Sequence, residues 1–76
     1  MNVEPSVRLY GKVKRAMASL PVGGVIAVRG YRDAKYPAGR PSSGVYRYAR
    51  LYGYTMEVEG YAETDTGLLA YVRRVA

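Results

Sequence analysis

The sequence contains no cysteine, no histidine and no long apolar run. Without cysteine, a disulfide framework and a thiolate metal site are excluded. Without histidine, the chain lacks the commonest metal ligand and the commonest general base of enzymes. No apolar run approaches the roughly 20 residues that a membrane-spanning helix needs, and the first residues, MNVEPSVRLYGK, lack the pattern of a signal peptide. We therefore expect a cytoplasmic protein that needs no cofactor and no membrane.

Catalytic motifs are also missing from the sequence. Serine and threonine are present, but no histidine can activate them and no Ser–Lys spacing stands out. Glu57 and Glu59 lie two residues apart, which is more typical of a solvated strand face than of an acid–base pair. Residues 21–28, PVGGVIAV, contain glycine but lead into an expected strand, whereas a phosphate-binding loop leads into a helix. We expect that the protein is not an enzyme.

What is present is a small and strongly basic chain. Its 76 residues suffice for one domain, residues 1–76, with a single small core. The net charge is +6, and it is unevenly distributed: residues 1–50 carry ten Lys or Arg and two acids, whereas residues 51–76 carry two Arg and four acids. A basic body with an acidic end predicts a directional electrostatic surface, and it favours either nucleic acid or an acidic protein surface as the partner.

The first part of the chain has helical periodicity. Apolar residues recur every three or four positions from Val7 to Leu20, Ser6 is a suitable N-cap, and Pro21 disfavours helical geometry at the residue before it. We therefore expect a first helix from Ser6 to about Leu20. A secondary basic stripe lies on another face of this helix: Arg8, Lys12 and Arg15. This stripe either faces solvent or supplies phosphate contacts that do not depend on base sequence.

After a VGG turn, residues 25–28, VIAV, predict a short strand that is buried on both faces. Residues 29–41 show no period, and so long a loop in a small domain is expected to be functional or mobile. Its two tyrosines alternate with basic residues, a composition that can hold a nucleic-acid backbone, stack on bases or anchor a protein interface. The alternative is a flexible loop whose charged side chains keep it solvated. The basic residues are Arg29, Arg32, Lys35 and Arg40.

Residues 41–54, PSSGVYRYARLYGY, predict a second helix. Ser42 or Ser43 can cap its start, and Gly53 can end it in the left-handed conformation. The apolar face that follows from helical spacing consists of Val45, Tyr48, Ala49 and Tyr52. We expect the opposite face to present Tyr46, Arg47 and Arg50.

We expect the binding site to lie at the start and on the outer face of this second helix. A helix N-terminus offers free N–H groups and a partial positive charge, which suit a phosphate or a carboxylate. Arginine and hydroxyl side chains flank that terminus, and basic residues of the preceding loop would clamp from the side. A capped surface helix with solvated arginines is the alternative. The complete predicted site is Arg32, Lys35, Arg40, Ser42, Ser43, Tyr46, Arg47 and Arg50.

The last third of the chain predicts a β-hairpin. Residues 54–61 alternate between apolar and polar side chains, residues 63–67 have turn composition, and residues 68–75 return as a second strand. We expect Tyr71 and Arg73 to lie across from Glu57 and Glu59. The inward residues of the second strand are expected to be Leu68, Ala70 and Val72. The expected fold is thus one α+β domain, helix-strand-helix-hairpin, with a two- or three-stranded sheet against two helices.

This order of elements resembles a minimal winged-helix domain. The segments SSGVYRYARLYGYTMEVEG and TGLLAYVRRVA are also similar to small phage-encoded proteins in which a Ser-capped Arg/Ala helix precedes a hairpin. The segment LPVGGVIAV is similar to their helix–Pro–Gly–strand junction. The resemblance covers about residues 6–76. It implies a winged-helix-like fold in which the helix at residues 43–52 enters the major groove of DNA.

The resemblance and the composition leave three functions open. The first is a small regulatory protein that binds nucleic acid, with double-stranded DNA as the expected form. The hairpin tip, with Glu63 and Asp65, is then not expected to enter a groove. The second is a phage-type protein that binds and inhibits or modulates a host protein, such as RNA polymerase or a defence nuclease, in the host cytoplasm. The third is a structural or assembly subunit, and a homodimer also stays open.

Overall fold

Two helices lie on one face of a four-stranded antiparallel sheet in the computed structural model, which describes residues 12–76. In chain order the elements are α1 (Lys12–Ala18), β1 (Val25–Tyr31), β2 (Arg40–Pro41), α2 (Ser43–Tyr52), β3 (Met56–Thr64) and β4 (Gly67–Arg74). The order of strands across the sheet is β2-β1-β4-β3, so the first and last strands are its central pair. The expected α+β class is confirmed.

The core lies between the two helices and the inner face of the sheet. The buried residues that form it are Met17, Ile26, Val28, Val45, Ala49, Ala70 and Val72. On β1 and β4 these residues alternate along the strand, because successive side chains of a strand point to opposite faces. Burying one side chain of the size of Ile26 contributes about 1.5–3 kcal/mol to stability.

The boundaries of α2 are those that the sequence predicted. Ser42 has the extended backbone of an N-cap, although its side chain makes no capping hydrogen bond. Gly53 is left-handed, with φ 74° and ψ 28°. The Tyr54 N–H then donates to the Ala49 carbonyl over 2.8 Å, which closes the end of the helix.

The two faces of α2 are also confirmed. Val45 and Ala49 are buried, and Tyr48 and Tyr52 are half-buried against the core. The outward residues are exposed as expected: Tyr46, Arg47 and Arg50. The amphipathic pattern therefore identified which tyrosines pack and which face solvent.

The predicted structureless loop at residues 29–41 was wrong at both ends. β1 continues to Tyr31, and Arg40 and Pro41 form β2, in which Gly30 pairs with Pro41 and Tyr31 with Arg40. The loop is only residues 32–39, and the sheet has four strands instead of two or three. A strand of two residues is too short to show an alternating pattern, so the sequence did not reveal it.

Within β1, burial on both faces holds for three of the four predicted residues. Ile26, Ala27 and Val28 are buried, but Val25 at the start of the strand is 38% exposed. Ile26 and Val28 belong to the core beneath the helices and Ala27 is buried on the other face, which accounts for the unbroken apolar run.

The predicted hairpin is formed by β3 and β4, which are joined by a turn at residues 65–66. Glu57 lies opposite Arg73, as expected. A bulge at Glu59 shifts the register by one residue, so Tyr71 lies opposite Gly60 and not across from a glutamate as expected. A bulge leaves no trace in the alternation of residue types before it, which is why the sequence did not place it.

The inward residues of β4 follow the prediction. Ala70 and Val72 are fully buried, and Leu68 is half-buried. Leu69, on the other face of the strand, is also buried, with 9% of its surface exposed. This residue was not expected to be buried, because only one face of the hairpin was assigned to a core.

The first helix, α1, ends two residues before the predicted Leu20. The Leu20 N–H donates to the Met17 carbonyl over 3.1 Å, and the Leu20 side chain still packs against the core. The predicted N-cap Ser6 and the stripe residue Arg8 lie outside the described residues. Over residues 12–76 no helix is long and apolar enough to cross a membrane.

Candidate nucleic-acid interface

The outer face of α2 carries a row of exposed polar and basic side chains. Ser43, Arg47 and Arg50 follow one another at spacings of four and three residues, so they lie one above the other along the helix. Among the residues that the structure describes, neither arginine takes part in a salt bridge. We call these three residues the α2 row. Within residues 12–76 its two guanidinium groups have no acidic partner, so they can bind an anionic ligand.

Tyr46 flanks the α2 row. It is 45% exposed, and burial of the rest of the ring raises the pKa of its phenol above the ordinary value of 10.0. The phenols of Tyr61 on β3 and Tyr36 in the loop raise this pKa further. We call these three tyrosines, Tyr36, Tyr46 and Tyr61, the tyrosine patch. At neutral pH the Tyr46 hydroxyl keeps its proton and can donate a hydrogen bond.

The loop at residues 32–39 is organised around the carboxylate of Asp33. Asp33 Oδ1 accepts a hydrogen bond of 2.8 Å from the Tyr36 N–H, and Asp33 Oδ2 lies 3.2 Å from Arg40 Nε. The Tyr36 N–H, and after it Arg40, hold the pKa of Asp33 below its ordinary value of 3.8. The loop is thus an ordered turn held by hydrogen bonds, although its sequence shows no periodicity.

The far end of this loop packs against the hairpin. Gly39 has a φ of 124°, and a Cβ atom at that position would lie 3.1 Å from both Tyr61 and Leu68. A side chain would therefore be both strained and crowded there. Glycine at this position lets the loop lie directly against β3 and β4.

Arg32, predicted to clamp a ligand from the loop, and Arg40, predicted to hold phosphate at the start of α2, are both already paired within the protein. Arg32 Nη1 lies 3.2 Å from Glu63 Oε1 on β3, and Arg40 pairs with Asp33. The Arg40 guanidinium also lies over the ring of Tyr31, 5.3 Å from its centroid. Lys35, over the ring of Tyr36 at 5.7 Å, is the member of the predicted clamp without an acidic partner in the described part of the chain.

The structure therefore brings only part of the predicted site together. Arg40 is held by the loop and by Tyr31, and it does not extend the row on α2. Ser43 is exposed at the start of α2, whereas Ser42 is half-buried. In the secondary basic stripe, Lys12 is the first residue of α1 and Arg15 is exposed, while Arg8 lies outside the described residues.

Sequence reasoning missed the outer face of the sheet, on the side opposite to the helices. The register places Arg29 of β1 opposite Leu69 of β4, and Ala27 opposite Tyr71. Ala27 and Leu69 are buried but do not belong to the helix-side core cluster. The alternation from Ala27 through Arg29 to Tyr31 was the signal, and it was overlooked because the strand was predicted to end at residue 28.

Chemically, these surfaces offer guanidinium groups, phenol rings and hydroxyls. Arginine binds phosphate or carboxylate oxygens through paired N–H donors, and exposed tyrosine rings stack on bases or fill pockets of a protein partner. In the described residues no group of three or more His, Cys, Asp or Glu side chains could hold a metal ion. No protein-family model matches the chain, and comparisons with curated proteins and with solved structures found no match.

Proposed function

We propose that the protein is a small regulatory protein that binds double-stranded DNA through the outer face of α2. The observation that carries this proposal is the α2 row, in which Arg47 and Arg50 are exposed and unpaired within the described residues. The chain as a whole has a net charge of +6, which adds long-range attraction for a polyanion. The same proposal has the protein act in the cytoplasm of the cell that holds its DNA target.

The dimensions of α2 suit a groove of DNA. An α-helix with its side chains is about 10–12 Å across, and the major groove of B-DNA is about 12 Å wide, enough to admit it. The ten residues of α2 give it a length of about 15 Å along the groove. In this arrangement Arg47 and Arg50 reach phosphates or base edges, Ser43 donates to a phosphate, and Lys35 approaches the backbone from the loop. Tyr46, which keeps its proton, supplies one more donor at the edge of the row.

A winged-helix-like interpretation of the fold belongs to the same proposal. α2 directly precedes the β3–β4 hairpin, as a reading helix precedes a wing. Between β1 and α2 the described chain has the loop and β2 in the place of a further helix, so α2 would be supported by the sheet. The hairpin tip carries Asp65 and would stay outside the groove, because its charge repels phosphate.

The test is titration of a fluorescein-labelled 20-base-pair duplex, followed by fluorescence anisotropy at several salt concentrations. The double variant Arg47→Gln/Arg50→Gln is compared with Arg29→Gln/Arg73→Gln, which removes the same charge from the outer face of the sheet. We expect the affinity of the first variant for the duplex to fall at least about 10-fold. The slope of log K against log salt should become less steep by about 2, because each lost phosphate contact accounts for about 0.9 of that slope. We expect the control to lose much less. Equal affinity of the first variant and the unmodified protein would exclude α2 as the binding face.

The tyrosine patch favours a second candidate function, the binding and inhibition or modulation of a host protein by a phage-type protein. Tyr36 and Tyr46 are 44% and 45% exposed, and the exposed Arg47 follows Tyr46 on α2. Tyrosine and arginine are the residues that most often anchor protein interfaces. An acidic surface on RNA polymerase or on a defence nuclease would suit this combination of rings and positive charge.

A single substitution distinguishes the two candidates. If a host protein is the partner, Tyr46→Ala removes an anchor and weakens capture of that partner by at least about 30-fold, which corresponds to roughly 2 kcal/mol. If DNA is the partner, the same change removes one hydrogen-bond donor and weakens binding only about 2- to 10-fold, less than the arginine variants do. Capture from a host lysate with and without nuclease treatment provides the matching control, because only a protein partner stays bound after the nuclease.

A further inference from the structure

The outer face of the sheet has its own arrangement of rings and charges, separate from α2. Tyr71 lies opposite Ala27, and Tyr31 lies four residues further along β1, so the two rings are about 13 Å apart along the strand. Arg29 lies between them, is exposed and, within the described residues, has no acidic partner. Leu69, which lies opposite Arg29 on β4, is buried.

The Tyr71 ring has open space on the β3 side. Tyr71 is half-buried and lies opposite Gly60, where a Cβ atom would meet nothing within 4 Å. β3 therefore leaves room next to this ring for a flat ligand group, which a larger side chain at Gly60 would occupy.

Tyr31 is held in place for such a contact. It is 40% exposed, and the guanidinium of its cross-strand partner Arg40 lies over its ring at 5.3 Å. Arg40 is in turn fixed by Asp33 at 3.2 Å. A ring that is already positioned loses little conformational entropy when a ligand stacks on it.

The charges on this face are complementary to a polyanion along one side only. Arg29 lies on β1 and Arg40 of β2 is already paired with Asp33, whereas Glu57 and Glu59 lie on β3, at the opposite edge of the sheet. Arg73 is neutralised by Glu59. A chain of phosphates is therefore attracted to Arg29 and repelled from β3, which favours a path over β1 and β4 that passes Tyr31 and Tyr71.

We propose that this outer sheet face is a second binding site, and that it takes single-stranded nucleic acid. Bases stack on Tyr31 and Tyr71, and Arg29 contacts a phosphate of the backbone between them. Stacking on tyrosine contributes about 1–3 kcal/mol for each base and tolerates any base, so binding is not selective for sequence. The site lies on the side of the sheet opposite to the helices, and it does not depend on the proposed role of α2.

The test uses fluorescein-labelled dT10 and rU10 oligonucleotides in anisotropy titrations with the full chain. The double variant Tyr31→Leu/Tyr71→Leu is compared with Tyr36→Leu/Tyr46→Leu, which removes two exposed rings from the loop at residues 32–39 and from α2. We expect the first variant to lose at least about 10-fold in affinity for the oligonucleotides and to keep its affinity for duplex DNA. We expect Arg29→Gln to lower the salt slope by about 0.7, the value for one phosphate of a single strand.

A second measurement on the unmodified protein keeps the proposal testable if the tyrosine variant folds poorly. In a ¹⁵N NMR titration with dT10, we expect the largest shifts at amides of residues 27–31 and 69–73. Shifts confined to residues 43–50 would overturn the proposal and assign both ligands to α2. The proposal would also be overturned if Arg47→Gln/Arg50→Gln lowered the affinity for the oligonucleotides about 10-fold while Tyr31→Leu/Tyr71→Leu left it unchanged.

Discussion

The carboxylate of Asp33 closes the loop at residues 32–39 only while it is ionised. The Tyr36 N–H and Arg40 hold its pKa below 3.8, so the contribution of these contacts is complete above that pH and is lost as the pH falls through the lowered pKa. We expect the Tyr36 amide resonance to move on acidification with a midpoint below 3.8. In Asp33→Ala, which removes the acceptor, the same resonance should not titrate; a midpoint at or above 3.8 in the unmodified protein would contradict this account.

Arg74 joins the end of β4 to the segment that follows α1. Its Nη1 donates to the Leu20 carbonyl over 2.6 Å, its Nε donates to the Ala76 carbonyl over 3.2 Å, and its guanidinium lies 3.6 Å from the centroid of the Tyr54 ring. We expect Arg74→Met to lower the free energy of unfolding by about 1–2 kcal/mol, because a charged hydrogen bond and a cation–π contact are lost together. Urea denaturation measures this.

The control for Arg74 is Arg15→Met on the exposed face of α1. This change also replaces a guanidinium with a thioether, but it breaks no side-chain hydrogen bond or salt bridge that the described residues contain. We expect it to alter the free energy of unfolding by less than about 0.5 kcal/mol. If both substitutions changed the free energy of unfolding equally, the contacts of Arg74 would contribute nothing to stability beyond the effect of removing one positive charge.

Gly44 in α2 and Gly53, which caps its C-terminal end, are expected to have opposite effects on stability when each is replaced with alanine. Gly53 is left-handed with a φ of 74°, so Gly53→Ala should destabilise the fold by about 1 kcal/mol. Gly44 lies inside the helix, and a Cβ atom there would touch Val13 Cγ1 at an ordinary 3.9 Å, so Gly44→Ala should stabilise the fold by about 0.5–1 kcal/mol. Thermal unfolding of the two variants should therefore shift in opposite directions.

Elements with a strong local pattern were predictable, and those that depend on distant contacts were not. The cap at Gly53 and the spacing of Arg47 and Arg50 identified α2 and its outer face from residue types alone. The pairing of Tyr31 with Arg40 creates β2 by folding the chain back across a loop, and no local pattern encodes it. The ion pair between Arg32 and Glu63 also depends on this fold, which is why the sequence did not reveal that Arg32 is already paired.

The molecule as a whole separates its charges, with the basic side chains largely on residues 12–54 and a run of acids on the hairpin. We expect Glu57→Gln/Asp65→Asn, which raises the net charge from +6 to +8, to strengthen duplex binding about 2- to 10-fold at low salt. The gain should disappear at high salt, because exposed charges at this distance are screened. A gain that persists in high salt would indicate that the hairpin tip contacts the duplex directly.

The position of β4 between β1 and β3 also determines when the domain can form. Every pairing between β1 and β4, from Val25 with Arg73 to Arg29 with Leu69, joins residues at least 40 positions apart. The hairpin of β3 and β4 can close early, but β1 has no long partner until β4 arrives, because β2 offers it only two residues. Closing so large a loop slows folding. On a ribosome, the newly made N-terminal part therefore waits with its apolar strand uncovered until the last strand has emerged.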